Sequence, residues 1–245
     1  MKSHLSLRSG NPVLTKQTFN NVSSSSGQMT IEGTVNKTAL SLFLLVGTGY
    51  LTFNPINPAI IFTCGIGGFI VAIITVFKKQ WAPITVPIYA ILEGALLGGI
   101  SFMYNSLYDG IVTNAIFLTV GILLALLTAY RSGIIKPTEN FKLGIFAATG
   151  GIALVYFVNF IMGFFGSSMG IMQIDNASPL SIGFSVVVVI IAALNLVLDF
   201  DFIDDVAYIC DPIYMEWYAT FGLLVTLIWL YIEILRLLSK LNDRR

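Results

Sequence analysis

Long apolar segments follow one another along most of the chain and are separated by short polar stretches. Each approaches or exceeds the ~20 residues that a helix needs to cross the hydrocarbon layer of a membrane. The segments lie at roughly 38–53, 57–77, 82–104, 111–130, 142–166, 180–200 and 213–238. Because backbone in lipid must satisfy its hydrogen bonds internally, the pattern predicts an all-α integral membrane protein, a bundle of seven transmembrane helices.

The predicted spans and their short loops occupy nearly all of the chain after residue 36, so the chain has room for a single folded domain. Residues 1–36 are polar and include four consecutive serines at 23–26, which predicts a largely disordered tail. Residues 37–240 form the predicted seven-span membrane domain, and residues 241–245 form a short charged C-terminal tail. The N-terminal tail lacks the apolar stretch of a signal peptide, so we expect it to stay in the cytoplasm.

Composition agrees with this class and narrows the chemistry. Hydrophobic residues make up 56% and charged residues 11% of the 245 positions, whereas a soluble domain has about 25% charged residues. A net charge of zero does not favour nucleic acid as a partner. The two cysteines lack metal-ligand spacing, and the single histidine, His4, lies in the tail. We therefore expect no cofactor, no metal at a fixed site and no enzymatic activity.

Basic residues mark the side of the membrane on which each loop lies. The loops after the second and fourth apolar segments carry Lys78, Lys79, Arg131, Lys136 and Lys142. The other short loops carry essentially no Lys or Arg. Since basic loops stay in the cytoplasm, these two loops and the N-terminus are predicted to be cytoplasmic, together with the acidic loop 201–212.

The last apolar segment conflicts with this rule. If it crosses the membrane fully, Lys240, Arg244 and Arg245 lie on the outer side. The alternative is a re-entrant segment that returns the tail to the cytoplasm. We favour full crossing, because the 26 residues of 213–238 exceed the ~20 that a span requires.

Small residues recur at helical spacing, where they allow two helix backbones to approach closely. They predict packing seams on the second, third and fifth segments rather than phosphate-binding loops, which would need a preceding strand and a lysine. These residues are Gly65, Gly67 and Gly68, then Gly94 and Gly98, then Gly144, Ala148, Gly150 and Gly151.

The sixth apolar segment ends in the acidic sequence LNLVLDFDFIDD. An acid inside the hydrocarbon layer costs ~2.5–3.5 kcal/mol on insertion, so its presence needs a reason. On a helix, Asp199 and Asp201 point about 200° apart, so one of them is expected to face the bundle. Asp204 and Asp205 are expected to face solvent. Asn195, one turn before Asp199, is a further polar candidate.

Two other acids lie inside apolar segments. Glu93, near the middle of the third segment, is expected either to be a neutral hydrogen-bonded group or to form a proton or cation site. Glu233 can pair with Arg236 three residues later, or share a site with the acids of the sixth segment. Glu216 and Thr226, on the same helix as Glu233, are secondary candidates together with Arg236.

Acid groups of this kind suit hard cations, Ca²⁺ above all, or protons. We expect any Ca²⁺ to bind transiently, at Asp199 and Asp201. An intramembrane hydrolase could also use aspartates from two spans, but no Gly-x-x-Gly-Asp pattern is present.

Several stretches of the sequence resemble one family. They are RSGNPVL, YRSGIIKPTENFKLGI, GGIALVY, LVLDFDFID and EWYATFGLLVTLIWLYIEILRLLSKL. Together with the seven-span pattern they are similar to bacterial members of the transmembrane Bax inhibitor motif family, in its Bax inhibitor/YccA-like branch. The resemblance implies a bundle in the bacterial inner membrane with the last helix central. For some members it implies a pH-sensitive calcium leak governed by two aspartates, one on each of the last two spans.

These two aspartates can be matched to this chain in more than one way. The first falls on Asp201 if FDFI is aligned and on Asp199 if VLD is aligned. The second falls on Thr226 if LRLL is aligned and on Glu233 if the Leu-Tyr-apolar-acid pattern is aligned. We favour Glu233, with Glu93 as an additional acid on the ion path.

Two functions of different classes follow from the residues and the resemblance. One is a Ca²⁺ leak channel or Ca²⁺/H⁺ transporter, gated by protonation of Asp199 or Asp201 together with Glu233. The other is a non-transporting regulator that binds a membrane protease or another membrane protein, as YccA-like relatives suggest. The expected partners are the lipid bilayer, Ca²⁺ or protons, and such a membrane protein.

Overall fold

The computed structural model describes residues 27–54, 58–174, 176–208 and 212–243. Within these residues the chain is helical, with short 3₁₀ turns and one isolated β-bridge between Gln28 and Pro212. The α-helices are α1 (Ile31–Leu51), α2 (Pro58–Phe77), α3 (Ala82–Leu107), α4 (Ile111–Arg131), α5 (Glu139–Phe164), α6 (Pro179–Tyr208) and α7 (Tyr214–Asp243). The predicted all-α class is confirmed. Most of the N-terminal tail, including His4, and the last two residues lie outside the described part.

Six of the helices in the described part, α2 to α7, are long and apolar enough to cross a membrane. The chain is therefore a multi-pass membrane protein by the length and composition of its helices. The helix α1 spans 21 residues but does not meet the same criterion, and its first two turns carry Glu32 and Lys37. Six of the seven predicted spans are supported in this way.

The structure excludes a re-entrant turn within the last segment. α7 is a single helix of 30 residues from Tyr214 to Asp243, without an interruption at which the chain could reverse. At 1.5 Å per residue it is longer than the hydrocarbon layer is thick. α7 is thus long and apolar enough to cross the membrane without a turn.

The predicted loop 201–212 begins later than expected. α6 continues through the acidic sequence to Tyr208, because this stretch is an amphipathic helix end. Phe202, Ile203 and Val206 are buried, while Asp204 on the other face is exposed. The acids therefore lie on a helix rather than in a loop.

The helices form two compact units. Among the described residues, the first unit comprises 27–107 and 201–225, and the second comprises 108–200 and 226–243. The helices α6 and α7 contribute their residues to both.

In the first unit, α3 packs against α1 through two glycines one turn apart. A Cβ atom at Gly94 would overlap the Thr48 hydroxyl and the carbonyl of Leu45, and one at Gly98 would overlap the carbonyl of Gly49. This close approach confirms the packing seam that the spacing of these glycines predicts. The predicted seam on α5 is wrong: a Cβ at Gly144, Gly150 or Gly151 would meet no other described atom within 4 Å. These three glycines of the predicted seam are exposed.

The α3 seam leads to a stability prediction. Gly94→Ala is expected to destabilise the protein by about 1–3 kcal/mol, because the new methyl group overpacks the contact with α1. Gly144→Ala is the matched control, since it has the same gain in helix propensity without a clash. Thermal unfolding in detergent, followed by circular dichroism, measures the difference. Equal melting temperatures for the two variants would contradict the seam.

Candidate functional site

Asp199 is the most enclosed of the acids on α6. Its side chain belongs to the second unit and is 0% exposed. The Thr226 hydroxyl on α7 donates a hydrogen bond to Asp199 Oδ2 at 2.6 Å. Asp201, two residues later, is half-buried, in keeping with the wide angle between the two positions on a helix. Of the two aspartates that the sequence leaves as alternatives, Asp199 is therefore the buried one.

The favoured partner of this aspartate requires correction. Thr226, and not Glu233, makes the hydrogen bond to Asp199. Glu233 follows Thr226 by seven residues, which is two helical turns or ~10 Å along the axis. The Asp199 carboxyl group therefore contacts α7 about two turns before the position of Glu233.

Glu233 forms a separate polar cluster with Tyr156 and Arg236, which we call the Glu233 cluster. The Tyr156 hydroxyl on α5 donates to Glu233 Oε1 at 2.6 Å. Arg236 Nη1 donates to both carboxylate oxygens, at 3.1 and 3.2 Å, and to the Tyr156 hydroxyl at 3.2 Å. The guanidinium also lies over the Tyr156 ring, 5.4 Å from its centroid. Glu233 thus pairs with Arg236, which is one of the two alternatives predicted from the sequence. The hydrogen bond from Tyr156 also connects α5 to α7.

Lys240 is a buried polar residue that the sequence reading treats as an external charge. Its side chain is 0% exposed. The ammonium donates to the Ile171 carbonyl at 2.7 Å, to Ser185 Oγ at 2.9 Å and to the Ser181 carbonyl at 3.4 Å. The only signal in the sequence is the spacing of Ser181 and Ser185, which places both serines on one face of α6.

Asn195 contacts α5. Its Nδ2 donates to Thr149 Oγ1 at 2.8 Å and to the Ile191 carbonyl of its own helix, also at 2.8 Å. Asn195 is thus a buried cross-link between α5 and α6. The sequence predicts a polar contact at this position but does not identify the neighbouring helix.

Glu216 has a structural role in the first unit. One carboxylate oxygen accepts hydrogen bonds from the Thr30 backbone N–H at 2.8 Å and from the Thr30 hydroxyl at 2.9 Å. The other is paired with the Lys37 ammonium. Thr30 is also the N-cap of α1, where its hydroxyl oxygen accepts from the Gly33 N–H. Glu216 therefore fastens the start of α1 to α7.

Glu93 lies in the first unit and is 9% exposed. It lines a cavity of about 480 Å³ whose walls come from α2, α3 and α7. A Cβ at Gly68 of α2 would lie only 2.5 Å from Glu93 Oε1, so the glycine makes room for the carboxyl group. The small residue at Gly68, which the sequence assigns to a packing seam on α2, thus makes space for the Glu93 side chain of α3.

The candidate residues do not assemble into a metal centre in the described part of the chain. No group of three or more His, Cys, Asp or Glu side chains there could hold a metal ion. Asp199 and Thr226 instead present a carboxylate next to a hydroxyl inside apolar helices. Such a pair can exchange a proton or offer oxygen atoms to a passing hard cation.

Comparison with known proteins agrees with the fold. No curated protein matches the chain at a significant level. The sequence profile of the family described as Bax inhibitor 1 like matches residues 11–243. Since this match covers nearly the whole chain, the protein belongs to the Bax inhibitor 1-like family.

Proposed function

We propose that the protein is a Ca²⁺ leak channel or Ca²⁺/H⁺ transporter of the bacterial inner membrane, gated by protonation of Asp199. The observation that carries the proposal is the burial of Asp199 in an apolar helix, with the Thr226 hydroxyl 2.6 Å from its carboxylate. An acid in an apolar helix carries an insertion cost, which makes its position a candidate functional site. Family membership supports a multi-pass membrane protein, in which a buried acid of this kind would be functional.

Protonation would act on Ca²⁺ through charge. A deprotonated Asp199 offers a negative charge and two oxygen atoms to the ion, and Thr226 can add its hydroxyl oxygen. A protonated Asp199 is neutral and attracts the ion far less. Flux is therefore expected to be lower at acidic pH. Asp201, Glu233 and Glu93 remain in the proposal as further acids along the ion path.

We further propose that α1 also crosses the membrane, which gives seven spans in all, that α7 is the central helix and that the N-terminus is cytoplasmic. The burial of 67% of the most apolar window of α7, against 11% for α5, supports a central α7. The basic residues that follow α2 and α4 support the orientation.

Ca²⁺ flux into vesicles that contain the purified protein tests the function. We expect flux above that of empty vesicles, higher at pH 8 than at pH 6. Asp199→Asn is expected to give low flux at both pH values, because the amide carries no charge at either. Asp204→Asn is the matched control, since Asp204 is an exposed acid on the same helix.

Two results would contradict the proposal. Flux no greater than in empty vesicles at both pH values would exclude transport and leave the partner-binding regulator as the function to test. A pH dependence that survives in Asp199→Asn would exclude Asp199 as the gate.

A further inference from the structure

The Glu93 cavity contains a buried carboxyl group with an unusual environment. Glu93 is nine-tenths buried and borders the cavity directly. Among the residues that the structure describes, none donates a hydrogen bond to its carboxyl group or forms an ion pair with it. A carboxyl group that opens onto a cavity without a hydrogen-bond donor from the protein can be satisfied by a ligand that occupies the cavity.

The rest of the cavity wall is apolar and rich in aromatic rings. Phe69 and Phe77 of α2, Tyr89 of α3 and Phe221 of α7 all contribute to it. The Tyr89 and Phe221 rings pack edge to face, with centroids 5.0 Å apart. Aromatic faces attract cations, and a single carboxylate neutralises one positive charge. The cavity thus offers one carboxyl group within an aromatic and aliphatic wall.

The wall has too few oxygen ligands to retain a Ca²⁺ ion, although an ion in transit can pass Glu93. Ca²⁺ takes six to eight oxygen ligands, whereas Glu93 and Tyr89 are the two lining residues that have side-chain oxygen atoms. An anion would be repelled by the carboxylate. A neutral hydrocarbon would fill the space but leave the carboxyl group without a partner. A cation with one charge and apolar substituents can pair with the Glu93 carboxyl group and also pack against the apolar lining.

The route into the cavity fits a ligand from the membrane. Phe69, Ile73 and Phe77 line the cavity and are also exposed on the outer face of α2. In a bilayer this face of an apolar helix lies against lipid. The cavity has a volume of about 480 Å³ and is open toward this face.

We propose that this cavity binds a membrane-soluble amine, with Glu93 as the counter-ion of its ammonium group and the aromatic rings around its apolar substituents. The proposal concerns binding alone and does not depend on Ca²⁺ flux. It assigns Glu93 a ligand that the ion-path role does not include.

A matched pair of small probes tests it. N,N-dimethyl-2-phenylethylamine carries the ammonium group, and isopentylbenzene has the same shape with a carbon in place of the nitrogen. Binding of each to the protein in lipid nanodiscs is measured by saturation-transfer NMR, with no ion gradient and with empty nanodiscs as the baseline for partitioning. We expect the amine to bind Glu93→Gln at least about tenfold more weakly than the wild type. Isopentylbenzene is expected to bind both proteins equally.

A pair of glycine variants provides a test that keeps the carboxyl group. Gly68→Ala displaces the Glu93 carboxylate, because the new Cβ would lie 2.5 Å from Oε1. Gly67→Ala is the control, since Gly67 does not line the cavity and its Cβ would make ordinary contact with Leu92 at 3.4 Å. Weaker amine binding in Gly68→Ala alone supports the proposal.

Three outcomes would overturn the proposal. Equal amine affinity in the wild type and Glu93→Gln would show that the charge is not recognised. Equal loss of the amine and of isopentylbenzene would show that the substitution collapses the cavity. Binding of neither probe above the empty-nanodisc baseline would indicate that a lipid acyl chain fills the space.

Discussion

Replacing Arg236 with Met is expected to lower the free energy of unfolding in detergent by about 3 kcal/mol. Breaking a buried ion pair by removing one member costs about 3–5 kcal/mol, because the other member keeps its charge without compensation. Glu233 has a side chain only 2% exposed, whereas Arg236 is 21% exposed, which places the effect at the lower end. The Tyr156 hydroxyl still donates to Glu233 in this variant, but it carries no charge.

A double variant separates the lost charge pair from the lost packing. In Arg236→Met with Glu233→Gln, the uncompensated charge is gone, so stability is expected to recover by about 1–2 kcal/mol. Denaturation with a chaotrope in mixed micelles measures all three proteins. If Arg236→Met alone is as stable as the wild type, the pair contributes nothing and the Glu233 cluster has no structural role.

Replacing Lys240 with Met is expected to cost about 2–3 kcal/mol of unfolding free energy. The ammonium donates to the Ile171 and Ser181 carbonyls and to the buried Ser185 Oγ, and Met removes this donor from all three acceptors. A buried polar group that loses its partner costs about 1–3 kcal/mol. Met has nearly the length of Lys and fills the space, so the effect reports the polar contacts rather than a cavity. Chaotrope denaturation in mixed micelles is the measurement here as well.

Two comparisons test this explanation. Lys136→Met, at an exposed position after α4, is expected to change stability by less than about 0.5 kcal/mol. Ser185→Ala in the Lys240→Met background removes one of the abandoned acceptors and is expected to restore about 1 kcal/mol. A Lys240→Met protein as stable as Lys136→Met would show that the buried contacts of Lys240 do not stabilise α7.

The helices were predictable because their signal is local. Runs of ~20 apolar residues predict transmembrane helices whatever their neighbours are, and six of the predicted spans satisfy this test in the structure. Helical spacing alone also indicates that Asp199 and Asp201 face different directions. The pairing of Glu233 with Arg236 is three residues apart on one helix and so was visible in the sequence as an alternative.

The contacts between helices were less predictable. The same small-residue spacing that marks a true seam at Gly94 and Gly98 also occurs at Gly144 and Ala148, where the glycine meets no neighbour. Glycine spacing makes close approach possible, but it cannot supply the second helix. The sequence could not decide between Thr226 and Glu233 as the partner of Asp199 for a related reason. The partner depends on the axial position of α7 relative to α6, which places Thr226 beside Asp199.

The sequence by itself determined the membrane class, the helices, and which acids lie within apolar segments. These follow from transfer free energies and backbone hydrogen bonding, which act on each segment separately. Only the tertiary structure decided which polar groups meet: Asp199 with Thr226, Glu216 with Thr30, and Lys240 with the carbonyl of Ile171. Such contacts join residues 27 to 186 positions apart along the chain, so no local pattern encodes them. The register of helix against helix places Asp199 beside Thr226 and Glu216 beside Thr30.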